Sequence, residues 1–216
     1  MNTNRRSFIK IISGATLGLS LPFNGFSMIM NERDKWGNLM PLKDFGSTGH
    51  KVTMMGVGGF HVGRMTDDEA QKTIDLAIER GIRFFDNAES YVGGEAEIKY
   101  GKFLNPKYRD EVFLMTKTRA RTKKEAQEHL EGSLKRMNTE TIDLWLIHAI
   151  DSENDVEERL NGGVLDYMLE AKQKGIVKHI GFSGHTTINA HKRILELTDE
   201  MEACMLPINV VDMGYE

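Results

Sequence analysis

One cysteine, Cys204, is all the chain carries. An intramolecular disulfide and any cysteine-built zinc or iron–sulfur cage are therefore excluded. Proline is nearly as scarce, at 4 against 21 glycines, a balance that suits a fold with many tight strand–helix turns. No basic block stands out: 28 Lys plus Arg against 32 Asp plus Glu leave a net charge of −4 with the signs interspersed. That distribution argues against a nucleic-acid-binding surface, which would show a basic cluster. Hydrophobic residues at 40% and charged residues at 28% exclude wholesale disorder and a polytopic membrane protein. What remains is a chain of 216 residues, enough for one α/β-type domain and an appendage at roughly 100–200 residues per domain.

Residues 1–30 read as that appendage. Asn4-Arg5-Arg6-Ser7-Phe8-Ile9-Lys10 sets two arginines ahead of an apolar stretch from Ile11 to Pro22, the layout of an export signal. The segment resembles the bacterial twin-arginine signal, whose export machinery carries folded proteins. A periplasmic or exported location is the expectation, with membrane contact only if the signal stays uncleaved. Residues 31–41 read as a linker and 42–216 as the folded domain.

Past residue 40 strand and helix patterns alternate. Leu42 to Val52 reads as a hairpin turning on Gly46-Ser47-Thr48-Gly49. Strands are expected at 53–57, 82–85, 112–116, 142–147, 177–182 and 205–210. Between them, Thr66 with Glu69 and Thr122 with Glu125 are capping boxes that open helices. Ala70, Ile74, Ala77 and Ile78 form the buried stripe of the first helix; Ala126, Leu130, Leu134 and Met137 form that of another. Further helices are expected near 95–104, stopping before Pro106, near 164–174, and near 189–197. Gly162-Gly163 argues against an earlier start to the second of these. Six strand–helix units in one direction imply a parallel sheet with helical crossovers. Gly56-Val57-Gly58-Gly59 lacks the G-x-G-x-x-G spacing of a dinucleotide fold, which leaves a (β/α) barrel as the favoured architecture.

Polar residues fall where a barrel would use them. Asp86, Lys117, His148, Ser183 and Asn209 each lie at or just past the end of a different expected strand, and in a barrel those ends share one mouth. A lysine closing an apolar strand needs an anion beside it, and Asp86 is the natural partner. A tyrosine, with a reference pKa of about 10, is a poor acid at neutral pH, and a neighbouring ammonium eases loss of its proton. Tyr91 beside Lys117 would then protonate an oxygen that becomes an alkoxide, with His148 orienting that oxygen. This is the equipment of carbonyl reduction. A barrel metal hydrolase built on His148 and His185 is disfavoured by the lack of a His-x-His pair on the first strand. His61, His129, His179 and His191 lack ligand spacing and read as surface or loop residues, whereas His185 reads as a residue of the mouth.

Phe85-Asp86-Asn87-Ala88 with Tyr91, Met115-Thr116-Lys117-Thr118, and Asp143-Leu144-Trp145-Leu146-Ile147-His148 resemble the aldo-keto reductase family, as does the opening from Phe45-Gly46-Ser47-Thr48-Gly49 to Val57-Gly58. The likeness runs from about residue 42 to 212. It implies an α/β fold, a parallel TIM barrel with an N-terminal hairpin, and reduction of a small carbonyl substrate with hydride from NADPH or NADH. It implies that Tyr91 is the general acid, tuned by Lys117 and Asp86, that His148 orients the substrate, and that Gly59, Ser183 and Asn209 contact the cofactor. It implies no metal. Two departures touch the nicotinamide pocket: Gly184 follows Ser183 where the family often has Asn, and Val210 and Met213 stand where it often has Gln and Tyr. Six units against the family's eight, in a chain shorter past residue 30 than the about 250 residues typical of such a barrel, imply a C-terminally truncated reductase. The alternative is a non-catalytic relative that retains the tetrad for binding or regulation.

Overall fold

A computed structural model describes residues 32–185 and 187–208. The export-signal reading, Asn209 and the two departures at 210 and 213 lie outside those residues.

The polypeptide first makes two small hairpins. Arg33–Asp34 (β1) pairs with Gly37–Asn38 (β2), inside the stretch read as a linker. This hairpin is tied down by the Asp34 carboxylate, which accepts from Arg83 Nε at 2.6 Å and Nη2 at 2.9 Å. Leu42–Asp44 (β3) then pairs with Lys51–Thr53 (β4), as the turn residues between them indicate.

Six strands follow in one sheet: Gly56–Gly58 (β5), Phe84–Asp86 (β6), Phe113–Thr118 (β7), Ile142–Ile150 (β8), Val177–Gly184 (β9) and Ala203–Met205 (β10). They lie side by side in chain order, and every neighbouring pair is parallel. Helices at Gly59–Val62 (α1), Asp67–Glu79 (α2), Glu95–Phe103 (α3), Asn105–Tyr108 (α4), Lys123–Met137 (α5), Glu153–Asn161 (α6), Val164–Gln173 (α7) and Ile188–Leu197 (α8) make the crossovers. The result is the expected incomplete (β/α) barrel. Among the described residues β5 and β10 are its edges.

Side-chain alternation with period two divides the sheet into two faces. Phe85, Leu114, Trp145, Ile147, Ile180 and Phe182 point under the helices and form the larger core with Ile74, Leu130 and Met168. Phe84, Phe113, Met115, Leu144 and Leu146 point to the other face and make a smaller core capped by Val52 of the second hairpin. Asp86, Lys117, His148 and Ser183 continue that second row beyond its apolar layer. Both capping boxes form: the Thr66 and Thr122 hydroxyls accept from the Glu69 and Glu125 amides, and each glutamate returns a bond to its cap.

Four elements depart from expectation, each for a local reason. The first strand begins at Gly56 rather than 53, because Thr53 is consumed in the hairpin opposite Leu42 and its hydroxyl donates to the Met55 carbonyl at 2.7 Å. Helix α3 stops at Phe103, before Pro106 as expected, but an unexpected short helix, α4, follows it with Pro106 in its first turn, where a missing N–H costs nothing. Helix α6 was not expected at all. Ser152 caps it by accepting from Asp155 N at 3.1 Å, but it buries only Val156 as an apolar residue, so no stripe announces it. Among the described residues the last strand spans Ala203–Met205, beginning before the expected 205–210, whose final two positions lie outside those residues.

One close approach sets how α3 meets α5. A Cβ on Gly101 would overlap the Arg136 carbonyl oxygen, so only glycine lets the two backbones touch there. Beside it the fully buried Glu97 carboxylate accepts from Arg136 Nε at 2.7 Å and from the Thr116 hydroxyl at 2.6 Å, linking both helices to β7.

Candidate active site

Three strand ends and one turn deliver the site. Asp86 is the last residue of β6, Lys117 lies on β7 and His148 on β8. Tyr91 opens a short 3-10 turn, Tyr91–Gly94, held to the strand by Glu89 N donating to the Lys117 carbonyl at 3.3 Å. Within that turn Val92 and Gly93 both adopt left-handed backbone, at φ 53° and 64°.

The Lys117 side chain is 1% exposed, so all three of its ammonium protons need protein acceptors. They have them: the Asp86 carboxylate, the Asn87 carbonyl at 2.7 Å and the Tyr91 hydroxyl at 3.0 Å. The Tyr91 ring meets the His148 ring edge-on, with centroids 5.6 Å apart. His148 Nδ1 lies 3.4 Å from the Ser90 hydroxyl. Thus the four residues singled out in the sequence converge around one point.

Their electrostatics differ. Burial is the main cause that holds the His148 imidazole down to about 3, and the positive charges of Lys117 and Arg119 add to it. His148 is therefore neutral near pH 7, with one N–H to donate. Burial pushes the Asp86 carboxyl above the usual carboxylate range, against the pull of the Lys117 ammonium.

The His148 shift makes stability depend on pH. In the unfolded chain this imidazole takes up a proton near its reference value of 6.5, while in the folded chain it resists until about 3. Between those values the unfolded state binds more protons, so stability rises with pH through the window and falls as acid is added. The contribution approaches about 1.4 kcal/mol per pH unit. Urea unfolding of wild type and His148→Asn across that window should show the shallower slope in the variant; parallel slopes would remove His148 as the cause.

A cavity of about 130 Å³ opens beside the cluster, with Tyr91, Lys117 and His148 on one side and Ser183, Gly184, Met205, Leu206 and Pro207 on the other. His185 also lines it, at the mouth as expected. Ser183 is already engaged: its Oγ accepts from Ala149 N at 2.9 Å and donates to the Ile147 carbonyl at 3.4 Å. It thereby braces Ala149, whose φ of 52° marks a sharp change of direction just after His148. Gly59 packs against the turn that follows β6, since a Cβ there would come within 2.8 Å of the Asp86 carbonyl and the Asn87 side chain.

Several contributors escaped the sequence reading. The Asn87 carbonyl and the Ser90 hydroxyl are short-range consequences of the turn after β6. Arg159 Nη1 donates to the His148 carbonyl at 3.2 Å from α6, the helix without an apolar stripe. Two histidines differ from the surface reading as well. His179 is buried on β9 with Nδ1 2.9 Å from Glu202, and His129 holds both Glu89 and the Thr118 hydroxyl.

The model of the Aldo/keto reductase family matches residues 54–215. The chain belongs to the aldo-keto reductase family. Among its relatives, an aldo-keto reductase of Mycobacterium avium (strain 104) is 32% identical over 156 residues, covering 71% of this chain and 51% of the relative. An uncharacterised oxidoreductase of Bacillus subtilis (strain 168) is 30% identical over 193 residues, 73% of this chain and 59% of that protein. A thermostable aldo-keto reductase solved in complex with the inhibitor epalrestat superimposes with a TM-score of 0.68 at 27% identity, over 80% of this chain and 64% of that one. This aldo-keto reductase family chain thus spans about half the length of the curated relatives it matches.

Proposed function

We propose that the chain supports reduction of an aldehyde or ketone to an alcohol, with Tyr91 as proton donor. The observation that carries this reading is the Lys117 ammonium, held by Asp86 and the Asn87 carbonyl and placing its third N–H 3.0 Å from the Tyr91 hydroxyl. As a phenol releases its proton, negative charge gathers on its oxygen, and an ammonium already in hydrogen-bond contact stabilises that charge without rearrangement. Asp86 acts on the substrate only through Lys117. The neutral His148 donates a hydrogen bond to the carbonyl oxygen and fixes its direction towards Tyr91.

The residues beside Tyr91 suit a nicotinamide cofactor. A space of about 150 Å³ admits a benzene ring, so the 130 Å³ cavity is of the right order for one flat ring, and its walls at Gly184 and Met205–Pro207 are largely apolar. By family resemblance Ser183, Gly59 and Asn209 would help hold it, with Ser183 exchanging its present contact to Ala149 N for one to the ring's amide. The bound nicotinamide, NADPH or NADH, would supply hydride to the carbonyl carbon. Lys117, Asp86 and Tyr91 then carry the proton side of the reaction.

The full chain with NADPH and an aldehyde should consume cofactor and form the matching alcohol in equal amounts. Absence of alcohol with either NADPH or NADH, across neutral and charged aldehydes, would overturn the proposal.

A further inference from the structure

A second cavity, of about 330 Å³, adjoins the first at the ends of β7, β8 and β9. It is lined by Arg119, Arg121, Arg159, Ala149, Asp151 and His185, and it shares His185 with the cavity at Tyr91. Three guanidinium groups against one carboxylate make its wall basic in a chain whose net charge is −4.

The arginines are not equivalent. Arg159 and Arg121 are held from behind by the buried Asp155 carboxylate, at 2.9 Å and 2.7 Å, and Arg121 also meets Glu158 at 3.0 Å. Arg119 differs. Its backbone N–H is fixed by Glu89 at 2.7 Å, yet among the described residues no carboxylate pairs with its guanidinium. Its charge also reaches His148, where it is one of the causes keeping the imidazole neutral. A guanidinium that is anchored at its backbone, unpaired at its tip and close to the reacting groups is suited to an external anion, since Arg binds carboxylate and phosphate through paired N–H groups.

We propose that this cavity receives an anionic group on the carbonyl substrate, so that the natural substrates are aldehydes or ketones bearing a carboxylate or a phosphate, with Arg119 as the residue that selects them. The inference rests on the reductase reading for its term "substrate", while the anion site itself does not. Arg121 and Arg159, already paired, shape the wall, and Asp151, whose carboxylate accepts from the Ser152 hydroxyl at 3.0 Å, marks its one acidic side, away from which an anion would lie. His185, shared by both cavities, lies where the substrate would pass from one to the other.

The test compares para-carboxybenzaldehyde with its neutral methyl ester, and glyceraldehyde phosphate with glyceraldehyde, on the full chain and on Arg119→Gln and Arg119→Glu. Charged substrates should be favoured in kcat/KM by about tenfold or more, the scale of one charge-assisted hydrogen-bonded pair. The preference should weaken with added salt, vanish in Arg119→Gln and reverse in Arg119→Glu. Whichever pair shows the larger Arg119-dependent ratio identifies carboxylate or phosphate. Binding is read separately by calorimetry with para-hydroxymethylbenzoate and its methyl ester, which needs no turnover. Arg119-dependent binding of the anion without any alcohol formation would sustain the anion site and sink the reductase reading. Turnover with equal preference for charged and neutral aldehydes would do the opposite. A change in NADPH KM with no change in substrate preference would show that the arginine serves the cofactor and would overturn the proposal.

Discussion

Tyr91→Phe should lower aldehyde turnover by roughly a hundredfold to ten-thousandfold, the usual share of a positioned acid. The substitution removes a single oxygen. The ring keeps its edge contacts with His148, at 5.6 Å, and with Phe60, also at 5.6 Å, so the turn keeps its shape. What disappears is the hydroxyl proposed as proton donor, which is also the acceptor for the third N–H of Lys117. Because the loss falls on the transition state, kcat should drop while KM for the aldehyde moves little. Steady-state kinetics with NADPH or NADH, and a circular dichroism spectrum matching wild type, make the comparison. Undiminished kcat in the variant would take Tyr91 out of the chemistry.

Asp86→Ala should cost the fold about 3–5 kcal/mol, the penalty for leaving a buried charge without its counter-ion. Lys117 is 1% exposed and cannot swing into water, and the Asn87 carbonyl and Tyr91 hydroxyl that remain are neutral. The double variant Asp86→Ala/Lys117→Met removes the stranded charge as well, so it should be more stable than Asp86→Ala alone even though it has lost more native contacts. Chemical denaturation of the three proteins decides the matter. A double variant less stable than the single one would mean that Lys117 finds water or another anion once Asp86 is gone.

The parts of the fold that could be read from sequence are those governed by local rules. Thr66 with Glu69 and Thr122 with Glu125 satisfy helix ends by themselves, and both caps form as spaced. Asp86, Lys117 and His148 could be placed because each ends an apolar run, and period-two alternation sends all three to one face of the sheet. Tyr91 could be placed only through its distance from Asp86, since nothing local states that the turn brings its hydroxyl back to Lys117. Helix α6 was lost because it rests on the cap at Ser152 and the Asp155–Arg159 pair rather than on an apolar stripe. With it went Arg159 and its bond to the His148 carbonyl. Arg121 pairs with Asp155 and Glu158, both more than thirty residues away, whereas no carboxylate among the described residues pairs with the Arg119 guanidinium, and no spacing rule reports that difference.

Val92 sits beside Tyr91, the proposed acid, in a conformation that branched side chains resist, at φ 53°. Holding it there costs of order 1–3 kcal/mol, which the surrounding contacts must offset. The discomfort has a benefit: a residue with few alternatives narrows the arc through which its neighbour's phenol can swing. Glycine at 92 would ease the bend and firm up the fold while loosening the aim of the Tyr91 oxygen. At this single position, durability and accuracy therefore pull the choice of amino acid in opposite directions.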